Sequence, residues 1–401
     1  LGCNLEGFGI TLIFFSDMQI NRPILRIIAD KNIPHVYNAF KAIGQLRLLE
    51  SGEITAATVR NCDILVVRYV TRIDKKLLAG SRIKFVGTVS AGTDHIDLRY
   101  LKEQKIAFSS APGSNAESVA EYVIAALLSL HERGSISIPD ATLGVVGVGN
   151  VGSRVAQKAK ALGMNVLLND PPKRRATGDK SFKPLSKLMD SDVITIHTPL
   201  TFTGKDKTAG LFGADRLARL KRGAVILNSA RGGIVCERSL KDCLASGRLG
   251  GAAIDVWENE PYIAPGLVEL ADISTPHVAG LSREARLAAV CVIYAAVCAH
   301  FGISPAWKPP IRRRAPLSCS CSQGDTPCSV LHGAVRRIYN IEKDSADFKR
   351  EAAKAPTAAA AFNAFRKRYR HRVEFSCREL ALSGPVRPLS RVLRILGFKL
   401  E

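Results

Sequence analysis

The chain has 401 residues, 46% of them hydrophobic and 23% charged, with a formal net charge of +21 at pH 7. That is enough apolar material for two or three packed domains, and it excludes a chain that is disordered as a whole. By sequence no apolar run approaches the roughly 18 residues of a membrane span, and Phe8 to Phe15 lacks the flanks of a secretory signal, so a cytoplasmic protein outside the membrane is expected. The ten cysteines sit mostly in apolar surroundings and read as reduced thiols, and the one cluster, Cys319, Cys321 and Cys328, lacks the partner pair of a zinc site, so no metal is expected. Residues 301–401 hold 20 Lys and Arg against 8 Asp and Glu. The runs Arg312 to Arg314 and Arg366 to Arg372 belong to no nucleic-acid module and read as a solvated face or a dimer rim rather than a nucleic-acid surface.

In chain order, residues 1–23 are expected to be an extension, with Met18 as one possible start. From Ile24 short β-branched runs alternate with helix-period segments. Strands are predicted at Ile24 to Ala29, Leu46 to Leu49, Ile64 to Arg68, Phe85 to Thr88 and Ala107 to Ser109, with helices at Pro34 to Ile43 and Asp74 to Ala79. This rhythm predicts a doubly wound parallel sheet. A long apolar helix, Asn115 to Leu130, follows. A second α/β unit opens at Thr142 and continues through Val193 to Ile196, Ala224 to Leu227, Ala252 to Val256 and Ile273 to Thr275. An alanine-rich helix, Ser282 to Phe301, is expected to return to the first unit. The expected organisation is a substrate-binding domain at 24–118 and 279–302, a Rossmann domain at 119–278, a linker at 303–329, and a small α+β domain at 330–401.

The second unit begins with the strongest local signal. Gly147, Gly149 and Gly152 have G-x-G-x-x-G spacing between an apolar run and a helix-period segment, and Asp170 follows Gly152 by eighteen positions. Such a turn lets a backbone approach a pyrophosphate at a helix N-terminus while a carboxylate meets a ribose hydroxyl. A dinucleotide site is expected. Asp170 would repel a 2′-phosphate and so favours NAD over NADP, although Lys173, Arg174 and Arg175 follow closely; Pro171 and Pro172 are expected to direct those side chains away.

Ligands of open parallel sheets lie beyond the carboxyl ends of the strands, so polar residues there are the candidates for chemistry. Ser90 to His95, Asn228 to Gly233, Asp255 to Pro261 and Pro276 to Gly280 each follow a predicted strand. Oxidation of a hydroxy acid needs a base for the hydroxyl proton, a role suited to His277; a carboxylate to orient that imidazole, Glu260; and a forked cation for the substrate carboxylate, Arg231.

The segments GVGNVG, NSARGG, DVWENEP and PHVAG resemble the D-isomer-specific 2-hydroxyacid dehydrogenases. ADKNIPHVYNAF, VRYVTRID, FVGTVSAGTDHIDL, APGSNAESVAEYV, LLNDPP, IHTPL and the tail segments AVRRIYNIEKDSADFK and AFRKRYRHRVEFS resemble the branch of that family acting on 4-phospho-D-erythronate in pyridoxal 5′-phosphate formation. The resemblance implies Arg231, Glu260 and His277 as catalytic residues. It implies an NAD site lined by Gly147, Gly149, Asn150, Val151, Gly152, Asp170, Thr198, Ser229, Ala230, Arg231, Asp255 and Gly280, and a substrate side with Tyr69, Ser90, Gly92 and Leu281. It also implies a C-terminal dimerisation domain and hence a homodimer. The departures fall near the substrate: Tyr69 stands for a serine, Ser90 for a threonine, Leu281 for a tyrosine and Lys31 for a glutamate. Arg68 and Arg72 are the cations suggested for the phosphate end. Another 2-hydroxy acid (3-phosphoglycerate, glyoxylate or hydroxypyruvate) and a non-catalytic NAD-binding interaction protein remain open.

Overall fold

The computed structural model describes residues 24–310, 316–320, 324–383 and 389–401. The expected extension 1–23, Arg312 to Arg314 and Cys321 lie outside the described residues, as does the side chain of Cys319. The first sheet is all parallel and contains β1 (Arg26–Asp30), β2 (Gln45–Leu49), β3 (Ile64–Val67), β4 (Phe85–Thr88) and β5 (Ala107–Ser109), in the order β2-β1-β3-β4-β5. Every residue of β3 and β4 is buried, as a sheet covered on both faces requires. The order reverses direction between β1 and β3, so the residues after those two strands flank a crevice.

The second sheet, also parallel, runs β11-β10-β9-β8-β6-β7, with β6 (Thr142–Val146), β7 (Asn165–Asn169), β8 (Val193–Ile196), β9 (Val225–Asn228), β10 (Gly251–Ile254) and β11 (Ile273–Ser274). Its reversal falls between β6 and β8, directly above the glycine turn. The molecule is thus an α/β protein with two doubly wound sheets and a smaller C-terminal α+β unit.

Helix Arg283–Phe301 departs from one expectation: at 19 residues and a mean hydropathy of 1.5 it is long and apolar enough to cross a membrane. Its apolar length serves the core instead. Val290, Ile293, Val297 and Cys298 are buried against Ile27, Ala29, Ile64 and Phe85 of the first sheet, and Gly87 makes room for Ile293, whose Cγ2 would lie 2.5 Å from a Cβ there.

The C-terminal unit has its own parallel sheet, β12 (Leu317–Ser320), β13 (Glu379–Ser383) and β14 (Lys399–Leu400), in that order. β12 lies inside the stretch expected as a linker. Its partner β13 is more than fifty positions away, and the surrounding Pro, Ser and Cys composition gives no local period by which to see it. The unit packs on the Rossmann half: Lys158 Nζ donates to Leu396 O at 2.7 Å, and Ser274 N donates to Ser345 Oγ at 3.0 Å. Within the run Arg366 to Arg372, Lys367, Arg368 and Arg370 are exposed as expected, and the expectation of a solvated face is corrected at Arg372. Arg372 is buried and its Nη1 donates to the fully buried Glu121 at 2.7 Å, with the Glu121 carboxylate also accepting from Phe375 N. Burial presses the Glu121 carboxyl upward while the guanidinium presses it back. The pair ties the tail to the long helix Ala116–Glu132, and losing one member would strand the other charge at a cost of about 3–5 kcal/mol.

Candidate active site

β6 ends in Gly147, whose φ of +86° is the left-handed conformation open to glycine. A Cβ there would meet the His197 backbone at 2.8 Å, and one at Gly152 would meet Gly147 O at 2.0 Å. Gly149 caps helix Asn150–Ala161 and faces open space, so backbone N–H groups are available to an anion there. Asn150 lies against Gly113, and Val151 packs on the apolar core. Asp170 follows β7 and accepts from Val148 N at 2.9 Å and Lys173 N at 3.0 Å, joining the turn to the next helix. Lys173 differs from expectation: its Nζ reaches back to Val148 O at 2.5 Å, because the helix that begins at Pro171 turns it toward the glycine turn. Arg175 pairs with Asp206 away from the turn. Thr198 Oγ1 and Ser229 Oγ, at the ends of β8 and β9, are buried without a protein partner among the described residues. Buried hydroxyls of this kind call for a polar ligand.

The turn after β9 presents Arg231. Asn228 closes it, with Nδ2 donating to Arg231 O at 3.0 Å and Oδ1 accepting from Ala230 N at 3.1 Å. A Cβ at Gly232 would lie 1.9 Å from Trp257 O, so this turn packs directly on the loop that carries Glu260. The guanidinium donates to Ala230 O at 2.7 Å and crosses to the first sheet, where Nη2 lies 3.3 Å from Asp94 Oδ2. Gly92 is there to admit it, since a Cβ would fall 2.1 Å from Nη2. Gly92→Ala is therefore expected to displace Arg231 and raise KM for the hydroxy acid about tenfold or more while leaving NAD affinity near wild type, which steady-state kinetics and a binding titration together check.

Glu260 and His277 sit on the loops after β10 and β11. Trp257 N donates to Glu260 Oε1 at 2.9 Å, and the indole Nε1 donates to Thr275 O at 2.9 Å, so Trp257 links the two loops. Glu237 and Glu258 exchange backbone N–H to carboxylate bonds across the base of the loop; burial pushes Glu237 up to about 7. Asp255, fully buried, accepts from Thr275 Oγ1 at 2.6 Å, Val278 N at 2.8 Å and Ala279 N at 3.0 Å. Burial raises its carboxyl against the pull of His277 and these donors. It is placed under the His277 loop as its internal brace. His277 Nδ1 lies 2.7 Å from Glu260 Oε2. Burial alone would raise the Glu260 carboxyl, but the hydrogen bond and charge of His277, the Trp257 N–H and the charge of Arg366 hold it below its ordinary value. An ionised carboxylate only accepts, so Nδ1 carries the proton and Nε2 is the atom that can take another.

The remaining candidates are distributed around this centre. Tyr69 follows β3 and its hydroxyl accepts from Arg366 Nη2 at 2.8 Å. Ser90 O accepts from Ala111 N at 3.0 Å, and Leu281 packs against the apolar core. A Cβ at Gly280 would meet Asn115 Nδ2 at 2.6 Å. Arg68 donates to the buried Asp30 at 2.8 Å, whereas Arg72 pairs with Asp74 at the exposed edge.

A family model described as the D-isomer specific 2-hydroxyacid dehydrogenase, NAD binding domain, matches residues 124–279. The chain is 40% identical over 381 residues to the erythronate-4-phosphate dehydrogenase of Azotobacter vinelandii, covering 93% of this chain and 99% of that one. It is 39% identical to the enzyme of the same name from Pseudomonas aeruginosa, over 94% of this chain and the whole of that one.

The chain belongs to the D-isomer-specific 2-hydroxyacid dehydrogenases.

As a member of this family it is an NAD-dependent oxidoreductase, and the open Gly149, the close-packed Gly147 and Gly152 and the unpartnered Thr198 and Ser229 hydroxyls fit that dinucleotide. The D-lactate dehydrogenase of Aquifex aeolicus, solved with NAD and lactic acid, superposes with a TM-score of 0.60 at 26% identity, over 69% of this chain and 96% of that one. The 3-phosphoglycerate dehydrogenase of Entamoeba histolytica, solved with NAD, does so with a TM-score of 0.59 at 25% identity, over 70% and 96%. Residues 317–397 match a domain of unknown function, DUF3410. Two residues of the site escape sequence reasoning as functional partners. Asp94 stands in a loop already singled out, but its pairing with Arg231 spans 137 positions. Arg366 lies in the tail segment AFRKRYRHRVEFS, which sequence reading assigns to the C-terminal unit and not to the site.

Proposed function

We propose that the protein oxidises the 2-hydroxyl of 4-phospho-D-erythronate to the 2-oxo acid, within formation of pyridoxal 5′-phosphate. The observation that carries the reading is the end-to-end similarity to relatives named erythronate-4-phosphate dehydrogenase, with the His277–Glu260 pair at 2.7 Å and the Arg231 turn packed on the loop of Glu260. In this reading His277 Nε2 takes the hydroxyl proton and Glu260 holds the ring and balances its new charge. Arg231 exchanges Asp94 for the substrate carboxylate and polarises the carbon to be oxidised through a second oxygen. Bound NAD supplies the acceptor for the hydride. Arg68, after β3 and next to Tyr69, is the cation for the phosphate end; Arg72 is exposed and paired with Asp74. A cytoplasmic homodimer assembled through the C-terminal unit completes the proposal, on the strength of the family resemblance of the tail.

With NAD, the specificity constant for 4-phospho-D-erythronate is expected to exceed those for 3-phosphoglycerate and for hydroxypyruvate and glyoxylate (the last two assayed with NADH) by about 10²-fold or more, since 3-phosphoglycerate is one carbon too short to reach both proposed cations and the other two lack the phosphate. A higher constant for one of the others would replace the substrate. NAD binding with no turnover of any of them would make the chain a binding protein. Running the panel with NADP in parallel tests Asp170, which should keep NADP turnover well below that with NAD.

A further inference from the structure

Arg366 lies on helix Ala358–Arg368 of the C-terminal unit, which Thr357 caps through its hydroxyl. The sequence gives this helix an apolar face: Phe362, Phe365 and Tyr369 are buried in the same core as Trp257, Ile254 and Val278. Phe365 meets Phe348 edge-on at 5.6 Å, and Phe348 in turn packs on Trp257. One turn along, Arg366 stacks over Phe362, its guanidinium 5.5 Å from the ring centroid, and is carried to the catalytic loops.

There the guanidinium makes a three-way junction. Nη1 donates to Pro276 O at 2.9 Å and also to the carbonyl of His277 itself. Nη2 donates to the Tyr69 hydroxyl at 2.8 Å, and the plane lies over the Tyr69 ring at 5.3 Å. His277 has φ +57°, a left-handed conformation that costs a non-glycine residue free energy and persists only where its surroundings hold it. Asp255 holds the loop from beneath through Val278 and Ala279 N–H, and Arg366 holds it from outside through the carbonyls. Tyr69 lies on the turn after β3 of the first sheet, so the same guanidinium joins the His277 loop to the first α/β unit.

We infer that Arg366 is a positioning residue for His277, and that through it the C-terminal unit, whose family model describes a domain of unknown function, completes the active site and pins the cleft wall at Tyr69. The inference rests on the reading of His277 as the proton acceptor. The forked geometry is what the role demands: two carbonyls and a phenol are met by one rigid group, which the single ammonium of lysine cannot reproduce. A shift of the ring by an ångström is enough to cost of order 10²-fold in rate.

The test compares wild type with Arg366→Lys, Arg366→Ala and Tyr69→Phe in full-length protein. Arg366→Lys is expected to lower kcat about 10- to 50-fold with KM for the hydroxy acid and for NAD within about threefold, since ground-state binding is left in place. Added guanidinium at low concentration should restore part of the Arg366→Ala loss and leave the wild-type rate unchanged. The losses of Arg366→Lys and Tyr69→Phe should combine to less than their product, as coupled residues do. A second readout is independent of any substrate: amide exchange in the segment 275–281 should quicken in Arg366→Lys while that of β6 and β8 stays as in wild type. If 4-phospho-D-erythronate is not the substrate, wild type itself fails in the assay, the exchange measurement still decides the placement of Arg366, and the kinetic comparison moves to whichever acid is turned over. Wild-type kcat in Arg366→Lys, or unchanged exchange at 275–281, overturns the inference.

Discussion

His277→Ala is expected to lower kcat for hydroxy-acid oxidation by about 10²–10⁴-fold, the range over which a positioned general base contributes. NAD affinity, measured by fluorescence titration, should stay within about twofold, because the contacts proposed for the dinucleotide lie mainly on the glycine turn and the ends of β8 and β9. Glu260→Gln should fall between the two: the amide can still meet Nδ1, but it cannot balance the charge that the ring acquires in the transition state. Turnover in His277→Ala equal to wild type would falsify the assignment. The pH behaviour has a definite sign. The Glu260 carboxyl is held below its ordinary value of 4.5, so its stabilising contact with His277 is fully present above that pH and is lost as pH falls through the lower folded value. Glu260 therefore stays ionised across the neutral range and contributes no titration of its own to the rate there.

Arg231→Ala is expected to reduce kcat/KM about 10²–10³-fold, as removal of a donor aimed at transition-state charge does, and Arg231→Lys should recover little of it. The guanidinium is well placed to exchange partners. Its contact with Asp94 is long, at 3.3 and 3.4 Å, and Asp94 is 69% exposed, so the pair is worth at most about 1 kcal/mol and yields readily to a substrate carboxylate. Gly92 keeps the passage open, and Ala230 O retains Nη1 while the outer edge changes hands. Parallel determination of kcat and KM for both variants checks the role; a loss confined to NAD affinity would assign Arg231 to the cofactor instead.

Much of this site is legible in the chain because doubly wound sheets translate local signals into place. A β-branched run marks a strand, the strand ends at the carboxyl edge of its sheet, and the polar residue that follows lies in the crevice. Gly147, Arg231, Glu260 and His277 each follow a strand by a few positions, and the strands were visible one at a time. The same local reading misled where burial depends on distant neighbours. Arg366 and Arg372 look like a solvated basic run, yet one grips the His277 loop across 89 positions and the other is sealed against Glu121 across 251. Helix Arg283–Phe301 has the composition of a membrane span because it must cover a sheet. β12 had no period of its own, since a short strand acquires one only from the partner it joins.

By itself the sequence determined the alternation of strands and helices, the glycine turn and the residue types at each strand end, since these follow from side-chain period and backbone sterics over a few residues. The pairing of Glu260 with His277 was legible too, as a carboxylate and an imidazole after successive strands, but only the tertiary structure decided that Asp94 occupies Arg231 and that a guanidinium from the far end of the chain holds the His277 loop. Such pairings are set by how the layers pack, and packing joins positions whose separation along the chain carries no signal.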